Sequence, residues 1–267
     1  MQPAQIPGMT QPTYALVTGA SRGLGKVFAE ALAARKRNVV LVARSKDKLE
    51  VLATELRTSQ GILAESLEFD LASPMAGQRV AQQLSDRKLR INLLVNNAGF
   101  GARGRFWEFS LERQLEMMRL NNEAIVELTF HLLPPMIEHR QGSIINVSSA
   151  AGFQPIPYGS LYAATKSFVT SFSLGLEQEL RPYGVTVVTV CPGRIRPESQ
   201  TEGTRNVKRG LLDIYQSPED VVRETLRALD GGGGLVVPGF VNKCCVFAQR
   251  LIPRRIVPKL VAKMSRP

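Results

Sequence analysis

Tyr162 and Lys166 are the residues whose types and spacing most directly suggest chemistry. In a helix, Tyr162-Ala-Ala-Thr-Lys166 sets a phenol and an ammonium one turn apart on the same face. A nearby cation favours the phenolate and lowers a tyrosine pKa. Such a tyrosine can exchange a proton with a carbonyl or an alcohol near neutral pH. A second feature is the string Thr18-Gly-Ala-Ser-Arg-Gly-Leu-Gly25. Its glycines allow a tight turn and a close backbone approach. They also aim the N–H groups of a following helix at an anion, aided by the helix dipole. Arg22 lies inside this string, and Arg44-Ser45 closes the second apolar run with no acidic residue before Asp47. An NAD site usually carries a carboxylate at that place, whereas two guanidiniums suit a 2′-phosphate. These residues predict NADP(H); the bland alternative is that Arg44 is a solvated surface residue.

These groups need elements to position them. Apolar, β-rich runs at 14–18, 39–43, 64–69, 91–95, 143–147, 185–190 and 235–237 alternate with helical patterns. The helical stretches include 24–36, 46–57, two segments ending near His139, and a long one over 159–181. Runs apolar throughout, with no polar alternation, are strands covered on both faces. The alternation predicts an α/β fold, a three-layer doubly wound parallel sheet of Rossmann type. The glycine string then falls between the first strand and the first helix, the place a phosphate loop requires. One domain is expected over 1–237, led by a loose N-terminal stretch, with a basic helical appendage over 238–267.

Five motifs stand in order: Thr18 to Gly25, Asn96-Asn-Ala-Gly99 after the fourth strand, Ser148-Ser149 after the fifth, Tyr162 to Lys166, and Pro192-Gly193 after the sixth. With them the chain resembles the short-chain dehydrogenase/reductase family from about Tyr14 to Val237. The resemblance implies NAD(P)-dependent interconversion of carbonyls and alcohols, with Tyr162 as general acid/base. It implies that Lys166 lowers the tyrosine pKa and binds the nicotinamide ribose, and that Ser149 holds the substrate oxygen while Ser148 is a turn residue. Asn121 matches an asparagine that anchors a water in the proton path, with Asn122 as the alternative. The cofactor contacts implied are Gly19, Ser21, Arg22, Gly23, Leu24 and Gly25 in the loop, and Arg44 beyond it. Asp70 and Leu71 fall by the adenine, Asn97, Ala98 and Gly99 in the cleft, and Tyr162, Lys166, Pro192 and Gly193 around the nicotinamide. For Asp70 a helix N-cap is the competing role. Two departures stand out. Pro197 replaces a threonine that contacts the nicotinamide amide, leaving Ser199 or Thr201 as substitutes, and Asn92 replaces an aspartate. Family members often form dimers or tetramers through long helices, here 123–139 and 159–181.

The substrate is less legible. Phe100, Phe106, Trp107, Phe153, Ile156 and Tyr158 flank the expected cleft and suggest a hydrophobic ketone or 3-oxoacyl substrate, although such residues are often plain core. Arg103, Arg105 and Arg194 would suit a phosphorylated or coenzyme A substrate, and 194–212 is the expected lid. The rival functions are an NADP(H)-binding sensor without turnover and a membrane-surface scaffold.

Composition narrows the classes. In 267 residues, 44% are hydrophobic and 21% charged, which excludes a disordered or fibrous chain. The two histidines, His131 and His139, have no partner at metal-ligand spacing, so no metal site is expected. Three cysteines, two of them adjacent, read as free thiols in a reducing compartment. With neither a signal-like N-terminus nor a run of 18 apolar residues, a cytoplasmic protein is expected. The net charge of +11 is unevenly spread: from Pro238 on there are seven basic residues and no acidic one, leaving +4 for the rest. Ile256, Val257, Leu260, Val261 and Met264 recur at helical spacing beside Arg255, Lys259 and Lys263. That pattern suits either a helix packed on its own domain or a partner, or peripheral contact with a membrane surface. No nucleic-acid motif is present, and no nucleic-acid partner is expected.

Overall fold

The computed structural model describes residues 11–196, 215–249, 251–253 and 255–265, without the side chains of 263–265. Outside the described residues lie the N-terminal lead through 10, the candidate nicotinamide contacts Pro197, Ser199 and Thr201, and the lid from 197 to 212. Tail residues Arg250, Arg254 and Arg266 and the side chains of Lys263 and Met264 also lie outside them.

Seven strands form one sheet: β1 Thr13–Thr18, β2 Asn38–Ala43, β3 Ala64–Glu68, β4 Arg90–Asn96, β5 Gly142–Val147, β6 Val185–Val190 and β7 Gly234–Val236. Their spatial order is β3-β2-β1-β4-β5-β6-β7, and every pairing is parallel. Between them run α1 Gly23–Ala34, α2 Lys46–Gln60, α3 Ala76–Asp86, α4 Leu111–Met118, α5 Ala124–Glu138, α6 Ser160–Leu180 and α7 Pro218–Asp230. Two shorter helices follow, α8 Phe240–Gln249 and α9 Val257–Ser265.

The unbroken apolar strands have a simple cause. Successive side chains point to opposite faces, and both faces are covered. Ala15, Val17, Val39, Leu41, Leu93 and Val95 join one core with Phe28 and Leu32 of α1, Leu49 and Leu52 of α2, and Val221 and Leu226 of α7. Tyr14, Leu16, Val40, Val42 and Leu94 join the other with Val80 and Leu84 of α3, Leu128 and Leu132 of α5, and Leu176 and Leu180 of α6. This is the expected three-layer arrangement. The chain reverses its winding between β1 and β4, and their carboxyl ends open the crevice where such sheets bind ligands.

Candidate active site

The β1–α1 turn is built around close approach. Gly19 and Gly23 have φ of +67° and +55°, a region that disfavours any side chain. A Cβ at Gly25 would collide with the Gly19 carbonyl oxygen, so Gly25 packs the turn together and does not face the cleft as expected. At Gly23 nothing lies within 4 Å of a Cβ position, which leaves open space beside the helix start. Thr18 ties this turn to β4: its Oγ1 accepts from the backbone N–H of Asn97 and of Ala98, both at 2.9 Å. Asn97 Nδ2 donates to the Thr18 carbonyl at 2.8 Å. The two motifs therefore form one wall.

One long cleft of about 1000 Å³ gathers most of the expected residues. Gly19, Ser21, Arg22, Gly23, Leu24 and Arg44 line one end, with Asp70 and Leu71 beside them. Asn97, Ala98, Gly99, Ser149, Tyr162, Lys166, Pro192 and Gly193 line the rest. The cleft's volume stands at the upper end of the range of ordinary small-ligand pockets, about 300–1,000 Å³, as an extended dinucleotide requires. Asp70 is not a helix cap: α3 begins only at Ala76, and the Asp70 carboxylate instead accepts from the Ala72 N–H at 3.0 Å. Lys48 joins Arg22 and Arg44 on the lining. Arg44 also pairs with Glu116 of α4 at 3.6 Å, a contact that no local spacing signals.

Around Tyr162 the roles of the two serines separate. Ser148 is buried, and its hydroxyl donates to the Lys166 carbonyl at 2.7 Å, so it fastens β5 to α6. Ser149 faces the cleft, accepts from the Ala151 N–H at 3.1 Å, and stands beside the Tyr162 hydroxyl, whose pKa it pulls down. Asn121 is fully buried within a π-helical segment, Arg119–Glu123, between α4 and α5. Such segments often mark functional sites. Its side chain accepts from the Phe100 N–H at 3.1 Å and donates to the Phe100 carbonyl at 2.9 Å and to Thr165 Oγ1 at 3.0 Å. A Cβ at Gly99 would lie 2.9 Å from Asn121 Oδ1 and 3.4 Å from Lys166 Nζ. Gly99, Asn121 and Lys166 therefore meet, whereas Asn122 donates to the Thr165 carbonyl at 2.9 Å and serves the helix.

The electrostatics depart from expectation. Lys166 Nζ sits 6.0 Å from the Tyr162 ring centroid and donates to the Val147 carbonyl at 2.9 Å. Burial pushes the Lys166 pKa down to about 8. Burial also pushes the Tyr162 phenol up, with only the Ser149 hydroxyl opposing it. The expected lowering by the lysine cation is absent because desolvation penalises the phenolate more than a cation at this distance helps it.

Next to the cleft a small, shallow pocket shares Tyr162 as a wall. Phe106 and Tyr158 line it as anticipated, together with Phe109, Met117 and Leu161, which were not. Phe100 lines the larger cleft. Trp107 is 77% exposed and Phe153 packs against Val237 and Val246, so neither belongs to this pocket. Arg105 pairs with Glu108 at 3.6 Å.

The Pro192-Gly193 wall is held from beyond the expected motifs. Gly193 N–H donates to Gln216 Oε1 at 2.8 Å, and Gln216 Nε2 donates to the Pro238 carbonyl at 2.6 Å. Asn242 of α8 stands against Gly193, its Nδ2 2.5 Å from where a Cβ would lie. Gln216 lies 23 residues from Gly193, and no local spacing signals the pair.

A glycine turn at the switch point of a parallel sheet, opening on a long cleft, defines a dinucleotide-binding α/β protein. The short chain dehydrogenase family model matches residues 13–208. The ketoacyl reductase HetN of Nostoc sp. is 34% identical over 214 residues, 80% of this chain and 74% of that protein. The human very-long-chain 3-oxoacyl-CoA reductase is 32% identical over 229 residues, 84% of this chain and 70% of that protein. A short-chain dehydrogenase from Sphingobium yanoikuyae, solved in complex with NADPH, superposes with a TM-score of 0.78 at 32% identity, covering 90% of this chain and 94% of that one. The chain belongs to the short-chain dehydrogenase family of oxidoreductases.

Proposed function

We propose that this chain is an NADPH-dependent reductase of a hydrophobic ketone or 3-oxoacyl substrate. One observation carries the proposal: Tyr162 stands on the shared wall of the long cleft and the adjoining apolar pocket, with Ser149 beside it. Both residues line the cleft, so a carbonyl held there can meet both hydroxyls. The two relatives named above, both acting on oxoacyl groups by name, favour that substrate class.

The cleft fits NADPH in kind. Its glycine turn can admit a pyrophosphate at the start of α1, and Arg22, Arg44 and Lys48 on the lining would supply cations for a 2′-phosphate. When bound, NADPH supplies the hydride, and the protein contributes placement and proton transfer. Ser149 orients the substrate oxygen by donating a hydrogen bond. Tyr162, kept protonated by its raised pKa, gives its proton to that oxygen as negative charge develops there. Below about pH 8 Lys166 is a cation; beside Tyr162 it stabilises the phenolate that remains. Asn121 holds the Phe100 backbone and the turn of α6 that carries Thr165, adjoining Lys166, so it keeps the proton-transfer groups in register.

A homo-oligomer is part of this reading, because Val126 and Phe130 on α5 and Phe168 and Leu174 on α6 are exposed. The direct test of function is NADPH oxidation, followed by absorbance, with simple ketones and with 3-oxoacyl thioesters of increasing chain length. The expected result is turnover that improves with acyl length. Turnover restricted to small polar carbonyls would contradict the substrate class, and no turnover with any carbonyl would contradict the reaction.

A further inference from the structure

Beyond the proposed reaction, the geometry points to a docking surface for an anionic lipid bilayer on α8 and α9. Two buried residues seat this region on the domain. Val246 packs with Cys191 and Val237, and Val257 is also buried. Lys243 Nζ, 3.6 Å from Glu224 of α7, fixes the rotation of α8. With that face inward, Phe240, Cys244 and Phe247 of α8 fall at positions i, i+4 and i+7, one stripe at helical spacing, and Leu251 lies two residues beyond the helix end. The stripe is turned to solvent: Phe240 is 79% exposed, Phe247 64% and Leu251 74%, and Cys244 is exposed as well. Ile256 and Leu260, just before and within α9, are 45% and 46% exposed as well. Isolated exposed apolar residues are ordinary, but a row of this length marks a contact surface.

Charge decides what covers it. No acidic residue follows Asp230, while seven basic residues do. Arg255 and Lys259 lie exposed beside Ile256 and Leu260. An isologous contact with a second copy would bring two such basic segments together with no carboxylate from either. A bilayer with anionic headgroups offers both the apolar depth for phenylalanine and leucine and the countercharge for arginine and lysine. α8 is also a neighbour of the cleft, because Asn242 stands against Gly193. Docking by this face would set the cleft beside the membrane, where hydrophobic acyl substrates reside. The docking itself does not depend on the substrate reading.

The test is co-sedimentation of the full chain with sucrose-loaded vesicles, either pure phosphatidylcholine or phosphatidylcholine with about one-third phosphatidylglycerol. Sedimentation velocity is run without lipid. Binding is expected only to the anionic vesicles, and to weaken at least about tenfold when salt rises from about 0.1 M to about 0.5 M. The double variants Phe247→Ser/Leu251→Ser and Arg255→Gln/Lys259→Gln should each lose about tenfold or more of that binding, while keeping the unfolding temperature and NADPH turnover of the parent. Absence of binding to anionic vesicles, equal binding to both kinds, or variants that bind as the parent does would overturn the proposal. So would a Phe247→Ser/Leu251→Ser protein that breaks an oligomer into smaller species with vesicle binding unchanged, because the surface would then join copies of this chain.

Discussion

At the scale of single residues, the site is a set of groups whose environments push them apart. Burial holds the Tyr162 phenol protonated and drives Lys166 toward about 8, so at neutral pH a proton donor stands beside a cation. That arrangement suits reduction. It also bears on stability, with a definite sign. An unfolded lysine titrates near its ordinary 10.5 and the folded Lys166 near about 8. Between these values the unfolded chain binds a proton that the folded chain does not, so stability rises with pH through the window. Below about 8 the full cost of the buried cation applies, of order a few kcal/mol. Lys166→Met should therefore unfold at higher urea than the parent at pH 7 without nucleotide, and the difference should shrink by pH 10; a constant difference would show that the charge is not responsible. Arg44 supplies a second prediction. Freed from Glu116 to hold a 2′-phosphate, it favours NADPH, so Arg44→Asp should weaken NADPH binding by about tenfold or more and NADH binding far less. Fluorescence titration with both nucleotides reads the difference, and equal losses would remove the cofactor argument. The Tyr162-Lys166 pair and the glycine loop were legible because one turn of helix or one tight turn fixes their geometry. The direction of the tyrosine pKa was not, because burial of a phenol depends on the whole fold around it.

At the scale of elements, the strands and the helices that were anticipated declared themselves by apolar period, with limits shifted by a few residues at most, whereas α7, Pro218–Asp230, was not anticipated. Less visible was what ties one element to another. The π-helical segment that buries Asn121 carries no special residue type in its sequence, Arg119-Leu-Asn-Asn-Glu123. Gln216 joins the loop after β6 to the loop after β7 through two amide hydrogen bonds, and a sequence shows only an ordinary glutamine. Gln216→Leu leaves the Gly193 N–H without its partner, a loss of about 1–3 kcal/mol for a buried donor. It should weaken NADPH by about tenfold and leave adenosine 2′,5′-bisphosphate, which lacks the nicotinamide half, bound as before. Calorimetric titration with both ligands separates this local effect from general damage, which would weaken both.

At the scale of the whole molecule, the sheet, the switch point and the cleft follow one another. Two cores clamp a parallel sheet, and the reversal of winding between β1 and β4 opens the crevice that the motifs line. The exposed Phe130 and Phe168 on neighbouring long helices belong to the same scale. Phe130→Asp should shift sedimentation velocity toward the monomer, and an unchanged coefficient for a folded variant would place subunit contacts elsewhere. The excess charge also separates at this scale, into a nearly balanced body and a basic end whose inner face packs on the domain and whose outer face is apolar. The central claim is that Tyr162 protonates a carbonyl held at the end of the NADPH cleft. The most direct measurement is the rate of NADPH oxidation with a 3-oxoacyl thioester for the parent and for Tyr162→Phe, each first shown to bind NADPH. Removal of a general acid predicts a fall of about 10²- to 10⁴-fold in turnover with nucleotide affinity retained. A Tyr162→Phe protein with near-parental turnover would contradict the account.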